Sequence, residues 1–355
     1  MRRAAIAIAL LGFAATADAK PAKIKYQDTV MGTYITVWFY TDREQAAADT
    51  AHEVFGEMHR LDGELSNFKP DSEIGKLNAA AGAHPVKVSD ETMTILERSQ
   101  DVSRRSGGVF DITIESFRGV WKFDEDMDQA CKDELPACQL PSAADIEARR
   151  KLVNYHDLVL DPAKHTAFLR HKGQKVTLGG IAKGYSVDRC VDIVRKHGFT
   201  DFMVQAGGDM YVSGQTADDK TGLPRPWSVA IRDPRGEEGA MFAYAPIRDH
   251  SFSTSGDYER GFVKDGVRYH HIIDPRTGRP ATASRSVTIR AHDAFTADAW
   301  SKVMFIYGWK AGLDIIAREK LDDFEVVWVD DKNAIHTTPG IVKDLKILHQ
   351  PTPGP

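Results

Sequence analysis

The hydrophobic period of this 355-residue chain switches repeatedly between two and 3.6, never in a regular strand–helix–strand rhythm. Ile35, Val37 and Phe39 alternate with Thr36 and Trp38, the pattern of a strand. Ala47, Ala51, Val54, Met58 and Leu61 then share one face of a helix. A second helix is predicted from Ser89, a good N-cap, to the stop at Gly107-Gly108. Short strands are expected at 158–160 and 166–169, around Asp161-Pro162. A helix opens near Gly180, turns Val187, Val191 and Val194 inward and ends at Gly198. Strands follow at 202–205, 211–213, 227–231 and 287–289. A helix at 294–307 is broken by Gly308, a shorter one runs to about Lys320, and 324–329 is a late strand. This irregular mixture predicts an α+β fold: one large domain, residues 20–349, with mixed or antiparallel sheets packed by helices, not a doubly wound parallel sheet. Residues 124–150 are polar and acidic and read as a surface excursion; 350–355 are Pro-rich and read as a loose tail.

The first 19 residues read as an address. Met1-Arg2-Arg3 precedes an apolar run from Ala4 to Ala15, and Ala17-Asp18-Ala19 supplies a small-x-small cleavage site. The run is too short to span a bilayer, and no later stretch is long and apolar enough. A soluble, exported, periplasmic protein is therefore expected. In that compartment a Cys131–Cys138 bridge is permitted, while Cys190 sits in an apolar-periodic helix and reads as core. The net charge of −5 points away from a nucleic-acid partner.

No GxGxxG, GxxxxGK[ST], HExxH, CxxC or GxSxG motif is present. The acidic run Asp124–Asp128 lacks the Gly and distant Glu of a calcium loop and reads as a solvated loop. Polar, Gly-rich chemistry concentrates in four segments. Gly179-Gly180-Ile181-Ala182-Lys183-Gly184-Tyr185 opens a helix, where backbone N–H groups and a lysine suit a phosphate, or merely form a turn. Ala206-Gly207-Gly208-Asp209 lies between two strands and permits either close ligand approach or a bulge. Ser253-Thr254-Ser255-Gly256 is rich in hydroxyls. His270-His271-Ile272-Ile273-Asp274-Pro275-Arg276-Thr277-Gly278 gathers imidazole, carboxylate and guanidinium around a turn.

Taken in order, these segments resemble the ApbE-type FAD:protein FMN transferases. The resemblance extends through Met31-Gly32-Thr33, Ser66-Asn67-Phe68, Ser72-Glu73-Ile74, Leu77-Asn78, Gly108–Thr113, Trp227–Ile231, Tyr258 and Ala297-Asp298-Ala299, nearly the whole chain after the signal. It implies an enzyme that uses FAD and Mg²⁺, transfers FMN onto a Thr hydroxyl of an exported or membrane-bound electron-transfer protein, and releases AMP. It implies catalytic roles for His271, Lys183 and Asp298, with His271 as general base or phosphate binder. The Ala182 carbonyl and the Asp298 carboxylate are the implied metal ligands. The implied flavin-nucleotide contacts are Met31, Tyr34, Ser72, Glu73, Phe110, Asp111, Gly179, Gly180, Ile181, Lys183, Asp188, Gly207, Gly208, Asp209, Ser255, His271, Ile272 and Thr277.

Three positions depart from the family pattern: Thr177 stands for an Asp, Gln205 for an Asn, and Lys302 for a Thr that ligates the metal. An ammonium does not ligate Mg²⁺ while charged. Lys302 therefore takes or adjoins the metal position, or Ser301 or a helix offset supplies the hydroxyl, or Lys302 points to solvent. The departures keep two further readings open, an exported FAD-binding protein without transfer and a metal-dependent FAD pyrophosphatase.

Overall fold

Eight strands lie side by side in the order of the chain: β1 (Ala22–Val30), β2 (Thr33–Thr41), β3 (Phe202–Ala206), β4 (Asp209–Ser213), β5 (His250–Gly256), β6 (Ser284–Ala291), β7 (Glu325–Asp330) and β8 (Ile335–Thr337). Every neighbouring pair is antiparallel, so this is the expected α+β fold with a purely antiparallel central sheet. A computed structural model describes residues 21–218 and 220–354 of the protein; the expected signal at 1–19 lies outside the described residues. Two of the connections are tight hairpins. Met31-Gly32 joins β1 to β2 with both residues at positive φ (55° and 69°), and Gly207-Gly208 joins β3 to β4 with Gly207 at φ 60°. Among the described residues the helices lie in two connections, α1 (Glu44–Leu65), α2 (Glu73–Ala79), α3 (Asp90–Arg105), α4 (Glu125–Lys132), α5 (Ala143–Arg150) and α6 (Ala182–Lys196) between β2 and β3, and α7 (Ala294–Glu319) between β6 and β7.

Both faces of the sheet are covered, giving three layers. On one face Ile35, Val37 and Phe39 of β2 pack with Ala47, Ala51, Val54 and Met58 of α1 and with Val187, Val191 and Val194 of α6. Cys190 lies in that core, as expected. Alternation along β7 serves both sides: Val326 and Trp328 join the core formed with α7, while Val327 and Val329 pack against a small sheet carrying Trp227, Val229, Ile231 and Phe242. Gly308 interrupts α7 at φ 70°, where the sequence places the break.

Helices α6 and α7 meet so closely at Gly184 that a Cβ there would sit 2.3 Å from the Ala294 carbonyl oxygen and 2.7 Å from Asp298 Cβ. This closeness fixes how the two helix starts face each other. Gly184→Ala is expected to destabilise the protein by about 3 kcal/mol, the upper end for overpacking, because backbone cannot step aside. A lower urea midpoint at unchanged denaturant slope measures it; an unshifted midpoint contradicts the packing argument.

Two local expectations are corrected. Residues 350–354 are anchored: Thr352 N–H and Oγ1 donate to the buried Asp233 carboxylate, and the Pro351 carbonyl accepts from Asn333 Nδ2. A buried carboxylate needs such donors, and the tail supplies them. The acidic run 124–128 is a helix start, not a loop; Asp124 accepts from Met127 N–H, and its acidic neighbours suit the positive end of α4. The excursion of 124–150, in which Cys131 and Cys138 are disulfide-bonded, also does structural work. Its Ile146 joins Phe117, Trp121 and Ile273 in a small core beneath the turn at 274–278, and Trp121 Nε1 donates to the Gly278 carbonyl at 2.8 Å.

Candidate active site

The turn before α6 is built from its own backbone. The Leu178 carbonyl accepts from Ile181 N–H and Ala182 N–H, and Gly179 N–H donates to Thr177 Oγ1. Thr177 Oγ1 in turn donates to Asn67 Oδ1, so this departure from the family pattern ties the turn to the 66–68 loop. Ile181 is fully buried and anchors the turn. Gly180 leaves a gap between the Phe110 ring and the Lys302 stem, to which an added Cβ would come within 3.5 and 3.8 Å. Its N–H finds no acceptor among the described residues. The Gly207-Gly208 hairpin tip lies beside Thr33 and Tyr34: Gly207 N–H donates to the Tyr34 carbonyl, and Gln205 Nε2 reaches the Gly207 carbonyl. The Tyr34 ring stands 65 % exposed.

Between these glycine turns sits a quartet of charges. Lys183, in the first turn of α6, pairs with Asp209 at the start of β4; Lys302 pairs with Asp298 four residues earlier on α7. Both aspartates are buried. Asp209 also accepts from Ser253 Oγ at 2.5 Å, and Asp298 from Gly184 N–H at 3.0 Å. Burial pushes the Asp209 carboxyl up, but Lys183 and Lys302 outweigh it and hold the group below its ordinary value. Asp298 goes the other way, raised by burial and by the Asp209 charge, with the two lysines only partly offsetting that. Burial pulls Lys183 down, yet Asp209 and Asp298 hold its ammonium above the usual lysine range. The quartet is thus two carboxylates matched by two ammonium groups. The Lys183 and Lys302 side chains remain 29 % and 22 % exposed, so both cations reach the cleft.

His271 is exposed and lies near enough to this quartet for the Lys302 charge to act on it. Its backbone N–H donates to the Arg260 carbonyl, and its Nδ1 lies 3.3 Å from the same oxygen. With the proton on Nδ1 directed at that carbonyl, Nε2 carries a bare lone pair. Desolvation, then the neighbouring His270, Arg260 and Lys302, disfavour the charged imidazole and push its pKa down, although the residue as a whole is exposed. A neutral, oriented imidazole with a free Nε2 can accept a proton from a hydroxyl, against the neighbouring cations, which disfavour the imidazolium.

Several residues that the resemblance places at the ligand also make hydrogen bonds within the fold. Ser72 caps α2 by accepting from Gly75 N–H. Glu73 accepts from Ser89 N–H with both carboxylate oxygens. Asp111 accepts from Thr113 N–H and Oγ1 and from Tyr155 N–H, which fills both of its oxygens. Ser255 Oγ pairs with Ser301 Oγ. Ile272 is buried, and Thr277 donates back to the Asp274 carbonyl within the turn. Met31 packs between the two helix-side cores and accepts a long contact from Ser186 Oγ. Caps and ligand sites draw on the same short polar side chains, which is why these motif positions read both ways.

Asp188 is the clearest case. It accepts from Ala294 N–H at 2.7 Å and Phe295 N–H at 2.9 Å, and so caps α7 from a neighbouring helix. Burial, then the Asp293 charge, raises its pKa to about 7. An unfolded chain releases this proton near pH 4. Between about pH 4 and 7 the folded protein therefore holds more protons, and its stability falls as pH rises through that window. Asp188→Asn is expected to flatten this part of the stability–pH profile, measured as urea midpoints at several pH values; an unchanged slope contradicts the shift.

The implied Mg²⁺ ligands do not fit a divalent ion in this arrangement. One Asp298 oxygen takes Gly184 N–H, the other takes the Lys302 ammonium, and the Ala182 carbonyl accepts from Ser186 Oγ at 2.7 Å. Ser301 does not stand in as ligand, because its hydroxyl donates to the Asp298 carbonyl and pairs with Ser255.

Sequence reasoning passed over Ser253, Arg260 and Phe68 as site residues. Arg260 had a signal. Asp265-Gly266, at φ 52° and 74°, is a hairpin turn joining 261–264 to 267–270, and counting outward from it sets Arg260 opposite His271. Phe68 is 71 % exposed, lies over the Arg118 guanidinium and borders a cavity of about 170 Å³ with Asn67 and Glu115.

A model of the ApbE family matches residues 31–328. An FAD:protein FMN transferase of Treponema pallidum is 31% identical over 331 residues, covering 90% of this chain and 88% of its own length. One from Klebsiella pneumoniae is 28% identical, covering 86% of this chain and 88% of its own. The crystal structure of the ApbE protein of Thermotoga maritima superposes with a TM-score of 0.77 at 30% identity, covering 90% of this chain and 98% of that one.

Proposed function

The chain belongs to the ApbE family, and from that membership we infer that it is an FAD:protein FMN transferase. It moves FMN from FAD onto a threonine hydroxyl of an exported or membrane-bound redox protein. The threonine Oγ–P bond forms while the P–O bond to AMP breaks. The hydroxyl proton passes to His271 Nε2, and the electron pair of the broken bond leaves on the AMP phosphate. Lys183 and the free N–H at the Gly180 turn bind the pyrophosphate, where negative charge gathers on the leaving group. The observation that carries this reading is that Lys183 and Lys302, each paired with a buried carboxylate, keep part-exposed side chains, and that the His271 imidazole lies near enough to feel the Lys302 charge. Two of the most exposed aromatic residues, Tyr34 beside the Gly207 turn and Phe68 beside Asn67, which Thr177 ties to the Gly180 turn, are suited to stack on the flavin or adenine.

No step is assigned to Mg²⁺, since one Asp298 oxygen already accepts from the Lys302 ammonium and the other from Gly184 N–H. Export to the periplasm belongs to the same reading. It is supported by the charged, apolar, small-residue start of the sequence and by the bonded Cys131–Cys138 pair. No helix among the described residues is long and apolar enough to cross a membrane.

Product analysis tests the reaction type. Protein, FAD and a threonine-bearing acceptor domain are incubated, and the soluble products are separated by chromatography. AMP without matching free FMN is expected. Equal AMP and free FMN would mark a pyrophosphatase, and FAD bound but intact would mark a binding protein.

A further inference from the structure

We propose that the Lys302 ammonium is the resident cation of this site and that transfer proceeds without a divalent metal; the proposal rests on the FMN-transfer reading. Lys302 Nζ contacts the Asp298 carboxylate and, at 3.0 Å, the Asp298 carbonyl, two oxygens of one residue at the start of α7. Spacing of four residues puts both side chains on one helix face. The Lys302 stem runs past Gly180 at van der Waals distance, on the turn where Lys183 also emerges. A second buried carboxylate, Asp209, lies near enough that its charge raises Asp298 and that Lys302 lowers it in turn. Each of the two buried carboxylates requires a positive partner, Lys183 for Asp209 and Lys302 for Asp298. Here side chains supply both, and the hydroxyl of Ser301 is already committed elsewhere.

The charges close without an ion: Asp209 and Asp298 are matched by Lys183 and Lys302, and a bound pyrophosphate then meets the exposed ends of both lysines. A divalent ion on Asp298 would have to displace the ammonium and crowd three positive charges into one cleft. The ammonium does part of what a metal does, neutralising developing charge, but offers no open coordination position.

The test uses the full protein stripped with EDTA. Transfer of FMN to an acceptor domain is measured in EDTA and in Mg²⁺, and Mn²⁺ binding is measured by electron paramagnetic resonance without FAD. The wild-type protein is expected to transfer equally in both and to leave Mn²⁺ free. Lys302→Thr is expected to bind Mn²⁺ and to transfer roughly a hundredfold faster with Mg²⁺ than in EDTA. Wild-type transfer that stops in EDTA and returns with Mg²⁺ overturns the proposal, as does Mn²⁺ binding by the wild type. The wild-type arms need no variant to fold. Should no transfer occur under any condition, the function reading fails, while the Mn²⁺ comparison still decides whether Lys302 takes the cation's place.

Discussion

Lys183→Met is expected to lower the rate of FMN transfer by about 10²–10³-fold, the scale set by removing a preorganised charge from a reacting phosphate. Lys183 emerges from the first turn of α6 and contacts Asp209, so its loss also strands a buried carboxylate. Breaking such a pair costs about 3–5 kcal/mol. The two effects separate in a second variant. Lys183→Met combined with Asp209→Asn removes the stranded charge and is expected to recover most of the urea midpoint without recovering transfer. Recovery of transfer in the double variant would mean that Lys183 only neutralises Asp209 and does not act on the phosphate.

His271→Ala is expected to reduce transfer by about 10²–10⁴-fold while leaving FAD bound, the loss typical of a removed general base. The geometry explains the split. His271 holds Nδ1 toward the Arg260 carbonyl and leaves Nε2 open, outside the charge quartet but near enough to feel the Lys302 charge. Because the environment lowers its pKa, the base is neutral throughout the physiological range. A base works above its pKa, so the transfer rate of the wild-type protein is expected to stay flat from pH 8 down to pH 6, with no histidine limb. Fluorescence titration of FAD and stopped-time transfer assays read the two quantities. A variant that loses FAD affinity and transfer in equal measure would make His271 a binder of the phosphate. A variant with unchanged transfer would remove both roles.

Local rules made much of this fold readable. Ser89 caps α3 as its position suggests, accepting from Thr92 N–H, and Gly308 breaks α7 because its φ of 70° suits only glycine well. The buried faces of α1 and β2 follow directly from their periods. The order of the central sheet was not readable, because the chain between β2 and β3 carries six helices and no local signal says which strands close across it. At the site, the Gly-rich turns were legible from motif, while Lys302 stood out only as a departure from the family pattern whose direction the sequence left open. The roles of Ser72, Glu73, Asp111 and Asp188 were not legible, since a carboxylate or hydroxyl in a motif is written identically whether it meets a ligand or a helix N–H. Gly184 was read as part of a phosphate turn, yet its nearest neighbours belong to α7, so its constraint is packing between helices.

The central claim is that this protein joins FMN to another protein. The most direct test is the intact mass of a purified threonine-bearing acceptor domain after incubation with the protein and FAD. The account requires a gain of one FMN phosphoester, located on the threonine by peptide fragmentation and absent with Lys183→Met. An acceptor proven with another transferase that gains no mass here, while FAD remains bound, would contradict it.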